Sequence, residues 1–130
     1  MSRQYHVDGT QPNDGAIFVF GSNLAGRHGG GAAKAAYDKF DAEWGVGFGL
    51  TGHSFAIPTK DRVIESLPLE DIATHVALFI EHAKANPYQS FFVTRIGCVL
   101  AGYTNEQIAP MFADAPDNCD MPEPWAAYLD

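Results

Sequence analysis

The chain is poor in basic residues. Its 130 residues include 8 Lys and Arg against 16 Asp and Glu, which gives a formal net charge of −8. No basic residue follows Arg95, whereas the last 35 residues carry six acidic side chains. Because phosphate backbones are bound mainly by clustered Lys and Arg, this balance argues against a nucleic-acid partner. It also disfavours binding to an anionic membrane surface.

Cysteines and long apolar runs are scarce as well. Two cysteines, Cys98 and Cys119, are too few for an extracellular disulfide scaffold, so we expect reduced thiols in a cytoplasmic protein. No apolar run reaches the roughly 18 residues of a membrane-spanning helix, and the polar N-terminal residues lack the apolar stretch of a secretory signal. The five histidines do not fall at ligand spacings with the cysteines, so no metal site and no cofactor are predicted.

The first half of the chain predicts a strand, a glycine-rich loop and a helix. Residues 16–20 are a continuous apolar run between turn-forming residues, which is typical of a strand buried on both faces. The loop covers residues 21–31, and residues 32–40 have alanines and aromatics at helical spacing. A further strand is predicted over residues 54–58.

The second half predicts the same alternation. A long helix is expected from Pro68 to Asn86, followed by a strand over residues 90–96 and a loop over residues 97–103. Thr104 and Gln107 form a capping-box pattern that opens a short helix, which Pro110 must end or kink. From about residue 114 we expect an extended, acidic, proline-containing tail anchored by Trp125 and Tyr128.

Alternating strands and helices predict a single α/β domain over residues 1–130. Its three layers are a mostly parallel sheet with helices on both faces. Ligands bind at the carboxyl ends of such strands, and the two glycine-bearing loops should lie there side by side. Glycines before a helix leave the first-turn N–H groups free for an anion, so the loops can hold a diphosphate. The alternative is that both loops are ordinary tight connections.

Several residues in these loops have two possible roles each. Asn23 can contact ligand hydroxyls and position a water, or it can cap its own turn. Arg27 and His28 can contact phosphate or transfer protons, or they can be solvated loop residues. Cys98 can be a nucleophile or a small buried thiol. The G-x-G-x-x-G pattern at residues 47–52 precedes a strand rather than a helix, so we interpret it as chance.

Two segments resemble the signatures of macro domains. Residues 17–23 followed by residues 29–33 are similar to the first macro motif, and residues 94–103 are similar to the phosphate-binding loop after a late strand. The resemblance implies a compact macro-like fold of bacterial or phage type that binds ADP-ribose or a related nucleotide. In macro domains an aspartate after an early strand recognises adenine, for which Asp8 and Asp14 are the candidates here.

The resemblance also implies roles for individual residues. Asn23 would contact the distal ribose, the glycine run would border that ribose and the diphosphate, and the second loop would wrap the diphosphate. Tyr103 would also pack against a sugar or base. The expected ligand-binding residues are Ser22, Arg27, Gly29, Gly30, Gly31, Arg95, Gly97, Cys98, Val99, Leu100, Ala101, Gly102 and Tyr103.

Three functions remain open at this point. The first is hydrolysis of an ADP-ribosyl or ADP-ribose phosphate bond, with Asn23 positioning a water and His28 as general base if it faces the pocket. The second is a nucleotide-binding sensor without chemistry. The third is an interaction protein whose acidic tail and Trp125 form the partner surface.

Overall fold

The computed structural model describes residues 3–98 and 100–129. Its strands are β1 (Tyr5–His6), β2 (Ile17–Asn23), β3 (Gly49–Thr51), β4 (Ser54–Lys60), β5 (Phe91–Val93) and β6 (Cys119–Pro122). They form one sheet in the order β1-β6-β5-β2-β4-β3. All neighbouring pairs are parallel except β3 and β4, which form an antiparallel edge.

Helices cover both faces of this sheet. They are α1 (Gly31–Lys39), α2 (Leu69–Ala85), α3 (Asn105–Ile108) and α4 (Ala126–Leu129), with 3₁₀ turns at Ala109–Phe112 and Glu123–Trp125. The predicted α/β fold with a mostly parallel sheet is therefore confirmed. Among the residues described, no helix is both long and apolar enough to cross a membrane.

The sequence of β2 explains the layered arrangement. Ile17 and Val19 belong to a core beneath α2, whereas Phe18 and Phe20 belong to a second core beneath α1. Successive side chains of a strand point to opposite faces, so a continuous apolar run requires a cover on each side. Each buried side chain of this size contributes about 1.5–3 kcal/mol, which favours the layered packing over an open sheet.

The central strands end later than the turn signals indicate. Gly21, Ser22 and Asn23 continue β2 because they pair with β4, whose own end reaches Lys60. β5 is shorter than predicted, covering three residues of the expected seven. The G-x-G-x-x-G pattern spans β3 and the turn into β4, so it opens no helix, as expected.

The chain's last segment differs most from expectation. Instead of an extended tail, residues 119–122 form β6, which lies inside the sheet between β1 and β5. Trp125 is fully buried and anchors this segment as predicted, whereas Tyr128 is 44% exposed and does not. The sequence did not predict this strand, because the segment contains prolines and acids. Its residues Met121 and Pro122 also pair with distant N-terminal residues, which no local pattern indicates.

The helix boundaries follow the predicted signals. α2 begins directly after Pro68 and ends at Ala85, before Asn86. Thr104 and Gln107 form the expected capping box at α3, and the chain tightens into a 3₁₀ turn around Pro110 because proline lacks the N–H that a continuing α-helix needs.

Asn118 joins the end of α2 to the start of β6. The two N–H groups of its Nδ2 are shared among the backbone oxygens of Ala83 at 3.1 Å, Asn86 at 3.0 Å and Gln89 at 2.9 Å. We predict that Asn118→Ala lowers the free energy of unfolding by about 1–3 kcal/mol, because these acceptors lose a partly buried donor. Urea denaturation measures the change, with the exposed neighbour substitution Asp117→Ala as the control. Equal midpoints for Asn118→Ala and the wild type would contradict this role.

Candidate functional site

A cavity of about 710 Å³ lies along the α1 side of the sheet and opens at the carboxyl ends of β2 and β5. This is the edge at which open α/β sheets bind ligands. Of the expected site residues, Ser22, Asn23, Arg27, Gly29, Gly30, Gly31, Arg95, Gly97, Leu100 and Ala101 line it. The structure thus brings together most of the two predicted loops.

The charge of the cavity is opposite to that of the whole chain. Among the described residues, the basic side chains that line it are Arg27, Lys60 and Arg95, and the one acidic side chain is Asp8. In the whole sequence acidic residues outnumber basic ones two to one. An anionic ligand therefore meets its most favourable surroundings in this cavity.

The N-terminus of α1 points its unsatisfied donors toward the same cavity. Gly30 is the N-cap, and in the described structure no side chain caps it and no acidic residue lies in the first turn. A helix N-terminus carries about half a positive charge together with free N–H groups. The α3 N-terminus differs, because Thr104 and Gln107 already occupy it. Both helix N-termini were expected to hold an anion, and of the two it is the N-terminus of α1 that has free N–H groups for one.

The two glycine loops lie side by side, as predicted. A Cβ atom built on Gly21 would be 3.4 Å from Thr59 Oγ1 and 3.7 Å from the backbone nitrogen of Gly97. A Cβ on Gly31 would be 3.0 Å from Leu100 Cδ1 of the second loop. The start of the first loop therefore lies next to the backbone of the second, and the end of the first loop lies against the Leu100 side chain.

Asn23 acts as a clamp on its own loop. Its Oδ1 accepts the N–H of Arg27 at 3.0 Å, and its Nδ2 donates to the carbonyl of Arg27 at 2.8 Å. The side chain is 7% exposed yet borders the cavity. One N–H and one lone pair remain for a ligand, because an amide has two of each. Of the two roles expected for Asn23, the structure shows the one in which its side chain caps its own turn.

A supporting loop, residues 43–48, packs against the first glycine loop. The Ser22 hydroxyl donates to the Gly47 carbonyl, and the Gly45 N–H donates to the Gly26 carbonyl at 2.9 Å. A Cβ on Gly47 would lie 2.3 Å from Asn23 O, so only glycine permits this approach. Ser22 is thereby used as a structural hydrogen-bond donor at the cavity wall.

His28 does not face the cavity. Its side chain is 1% exposed, Nε2 lies 2.9 Å from the carbonyl of Glu43, and Nδ1 has no partner among the described residues. Its ring packs edge-on against Phe20 and Trp44. The general-base role expected for His28 requires its ring to face the pocket. The ring instead turns inward and contacts the loop of residues 43–48, so this requirement is not met.

The second glycine loop contributes fewer residues than expected. Cys98 is half-buried outside the cavity lining, and burial raises the pKa of its thiol against the opposing charge of Arg95. Gly102 forms a turn at φ +84°, away from the lining. The Tyr103 hydroxyl donates to Leu67 O at 2.5 Å, and its ring packs on the core. Val99 lies outside the described residues.

Arg95 connects the cavity to both ends of the chain. Its Nη1 lies 3.1 Å from Asp8 Oδ2, and its Nε donates to Asn105 Oδ1 at 3.0 Å. Asn105 Oδ1 also accepts the indole N–H of Trp125 at 3.0 Å. The guanidinium is therefore held in place, and 25% of the side chain stays exposed for a ligand.

Several lining residues were not predicted. They are His6, Gly9, Thr10, Gln11, Phe18, Ala32, Ala33, Ala35, Trp44, Thr59, Lys60, Ile64, Phe92, Thr94 and Ile96. Thr59 and Lys60 lie beyond the strand predicted over residues 54–58, and in the structure they form the end of β4. Among residues 3–98 and 100–129, no carboxylate pairs with Lys60 and no three acidic, His or Cys side chains form a metal site.

The fold has a counterpart among solved structures. The chain is similar to one in the structure described as Thermosipho africanus DarTG in complex with ADP-ribose, with a TM-score of 0.61 and 15% sequence identity. The match covers 84% of this chain and 38% of that chain, so this chain spans well under half of its neighbour's length. No protein-family model and no curated protein matches the sequence. At this identity the likeness concerns the fold, and it agrees with the macro-like architecture expected from the sequence.

The clamp formed by Asn23 makes a testable prediction. Asn23→Ala removes both hydrogen bonds to Arg27, so we expect the free energy of unfolding to fall by about 1–3 kcal/mol. Asn13→Ala, an exposed asparagine outside the lining, is the matched control. Denaturation by urea measures both. An Asn23→Ala protein as stable as the control would show that the amide is not needed to close its loop.

Proposed function

We propose that this chain binds an ADP-ribose-type nucleotide diphosphate in the cavity between the two glycine loops. The observation that carries the proposal is a basic cavity, in an acidic protein, at the uncapped N-terminus of α1. The structural neighbour is in complex with ADP-ribose, which supports the same ligand class.

The diphosphate fits best between Gly29–Gly31 and the start of the second loop. The first-turn N–H groups of α1 are suited to donate to its oxygens there, and the positive helix end favours its charge. Arg27 and Lys60 line the same cavity and add charge to this region. Arg95 contributes less, because its guanidinium is already paired with Asp8.

The base belongs at the aromatic end of the cavity. The His6 and Phe92 rings stack there with centroids 3.7 Å apart, and Phe18 lies beside Phe92. A planar apolar surface of this kind suits a nucleobase. Asp8 follows β1 and lines the cavity, whereas Asp14 accepts the N–H of Ala16 and does not line it. Asp8 is therefore the aspartate to bind the base's amino group.

Hydrolysis is a second candidate, and Lys60 is the observation that favours it. With the base at the aromatic end, the distal ribose lies near Asn23 and Lys60, which are register partners at the strand ends. The Lys60 ammonium, which pairs with no carboxylate among residues 3–98 and 100–129, can stabilise negative charge that develops on a leaving group. The general base cannot be His28 in this arrangement, since its ring is enclosed beneath the loop.

The interaction-protein alternative has less support. The segment assigned to a partner surface contributes β6 and the buried Trp125 to the fold. Removing residues 114–130 would therefore disrupt the sheet as well as any partner surface, so truncation does not isolate a partner-binding role.

Nucleotide binding is tested by thermal unfolding with ADP-ribose, ADP, NAD and ribose 5-phosphate. A ligand at about 100 times its Kd adds about 2.7 kcal/mol of stability, which corresponds to several degrees for a domain of this size. We predict the largest shift with ADP-ribose, because it spans both ends of the cavity. The absence of a shift with every nucleotide would overturn the proposal. Release of ADP-ribose from a modified substrate, tested with Lys60→Ala, separates a hydrolase from a sensor.

The role of the α1 N-terminus is tested at Gly30. This residue has extended backbone, at φ −155° and ψ 162°, and a side chain built there meets nothing within 4 Å. We predict that Gly30→Asp caps the helix but lowers ADP-ribose affinity at least tenfold more than the isosteric Gly30→Asn, because the carboxylate repels the diphosphate.

Titration calorimetry measures both affinities, and thermal unfolding verifies that both variants fold at least as stably as the wild type. Equal affinities for the two variants would show that the anion does not lie at this helix end.

A further inference from the structure

Ile64 has a backbone conformation that its side chain disfavours. Two non-glycine residues in the described part of the chain have positive φ, Asp41 at 61° and Ile64 at 67°. Aspartate tolerates the left-handed region, whereas a β-branched side chain is crowded there by the neighbouring backbone. Ile64 is therefore strained in a way that Asp41 is not.

The loop of residues 61–66 imposes this conformation. Asp61 Oδ1 accepts the N–H groups of Val63 at 2.9 Å and Glu65 at 3.0 Å. The Asp61 N–H donates to Glu65 O at 2.7 Å, and the Ile64 N–H donates to Asp61 O at 3.2 Å. Four hydrogen bonds to one residue over-determine the turn, which is the condition under which strain persists.

The same loop is fixed to the ligand edge of the sheet. Lys60 and Ser66 form a bridge across its base. The Ser66 hydroxyl donates to Ala101 O at 2.6 Å, which joins the loop to the second glycine loop. The position of Ile64 relative to the cavity is therefore set from both sides.

The side chain of Ile64 belongs to neither hydrophobic core. Ile64 is 42% exposed and Leu100, on the joined loop, is 62% exposed, yet both line the cavity. Exposed apolar groups at an opening gain free energy only when something covers them. A ligand in the cavity would bury Ile64 next to Lys60, where exclusion of water also strengthens the attraction between the ammonium and an anion.

From these observations we propose that Ile64 is a positioning residue that covers the sugar-phosphate end of the ligand, and that its left-handed backbone is maintained for that purpose. The inference rests on the proposed function and deepens it. It assigns the closing of the cavity to a side chain on a strained turn, in addition to the charged groups and glycine loops that bind the ligand.

Two substitutions separate the side chain from the strain. Ile64→Ala removes the cover but keeps the Cβ atom that is disfavoured at positive φ, whereas Ile64→Gly removes both. Val63→Ala is the control, because Val63 is 73% exposed and does not line the cavity.

We expect both Ile64 variants to bind ADP-ribose about tenfold more weakly than the wild type, from the lost apolar burial. We expect Ile64→Gly to unfold about 2–4 °C above Ile64→Ala, although glycine ordinarily destabilises relative to alanine. Val63→Ala should bind as the wild type does.

The outcomes are distinguishable by titration calorimetry and thermal unfolding. If wild type binds ADP-ribose and Ile64→Ala binds it equally well, Ile64 is no cover and this inference fails while the proposed function stands. An Ile64→Gly protein that unfolds below Ile64→Ala would show that the backbone is not strained, which also overturns it. If wild type binds no nucleotide, the proposed function fails and the inference with it.

Discussion

Strand β2 lies between β4 and β5 in the middle of the sheet, and Val19 and Phe20, on its opposite faces, have no exposed surface. A strand buried on both faces needs a layer of helices on each side, and connections that are mostly parallel crossovers supply them. Parallel strands then end at one edge of the sheet. The glycine loops after β2 and β5 are neighbours for that reason, so the cavity is a consequence of how this strand is buried.

The charge of the cavity needs a separate explanation, because the chain as a whole is acidic. At an ionic strength of 0.1 M charges are screened over about 10 Å, so the distant acids of the surface weigh little against groups that line the cavity. Lys60 and Arg27 line the cavity, as do the residues at the start of α1. Capping distinguishes the two helix ends: Thr104 satisfies α3, whereas Gly30 leaves the first-turn N–H groups of α1 without a side-chain cap.

Local signals in the sequence predicted the fold well where one segment determines its own structure. The apolar run of β2, the periodicity of α2 and the capping box at Thr104 each depend on neighbouring residues. β6 was missed because its pairing with Tyr5 and His6 joins residues more than a hundred positions apart. The site shows the same division: the glycine loops were predicted, but the inward turn of His28 depends on Glu43 and Trp44, and no local pattern encodes it.

The N-terminal residues form one wall of the cavity, and the C-terminal strand β6 supports them. His6 and residues 8–11 line it, and their place is fixed by the pairing of β1 with β6 and by the approach of His6 to Asp120 at 2.9 Å. Arg95 adds the contact with Asp8, an exposed pair that contributes at most about 1 kcal/mol by itself. The stability of this wall must come mainly from β6, whose Cys119 and Met121 are fully buried. The cavity thus combines loops that are local in sequence with a wall that depends on distant contacts, because β6 pairs with β1 and the His6 ring stacks on Phe92 of β5.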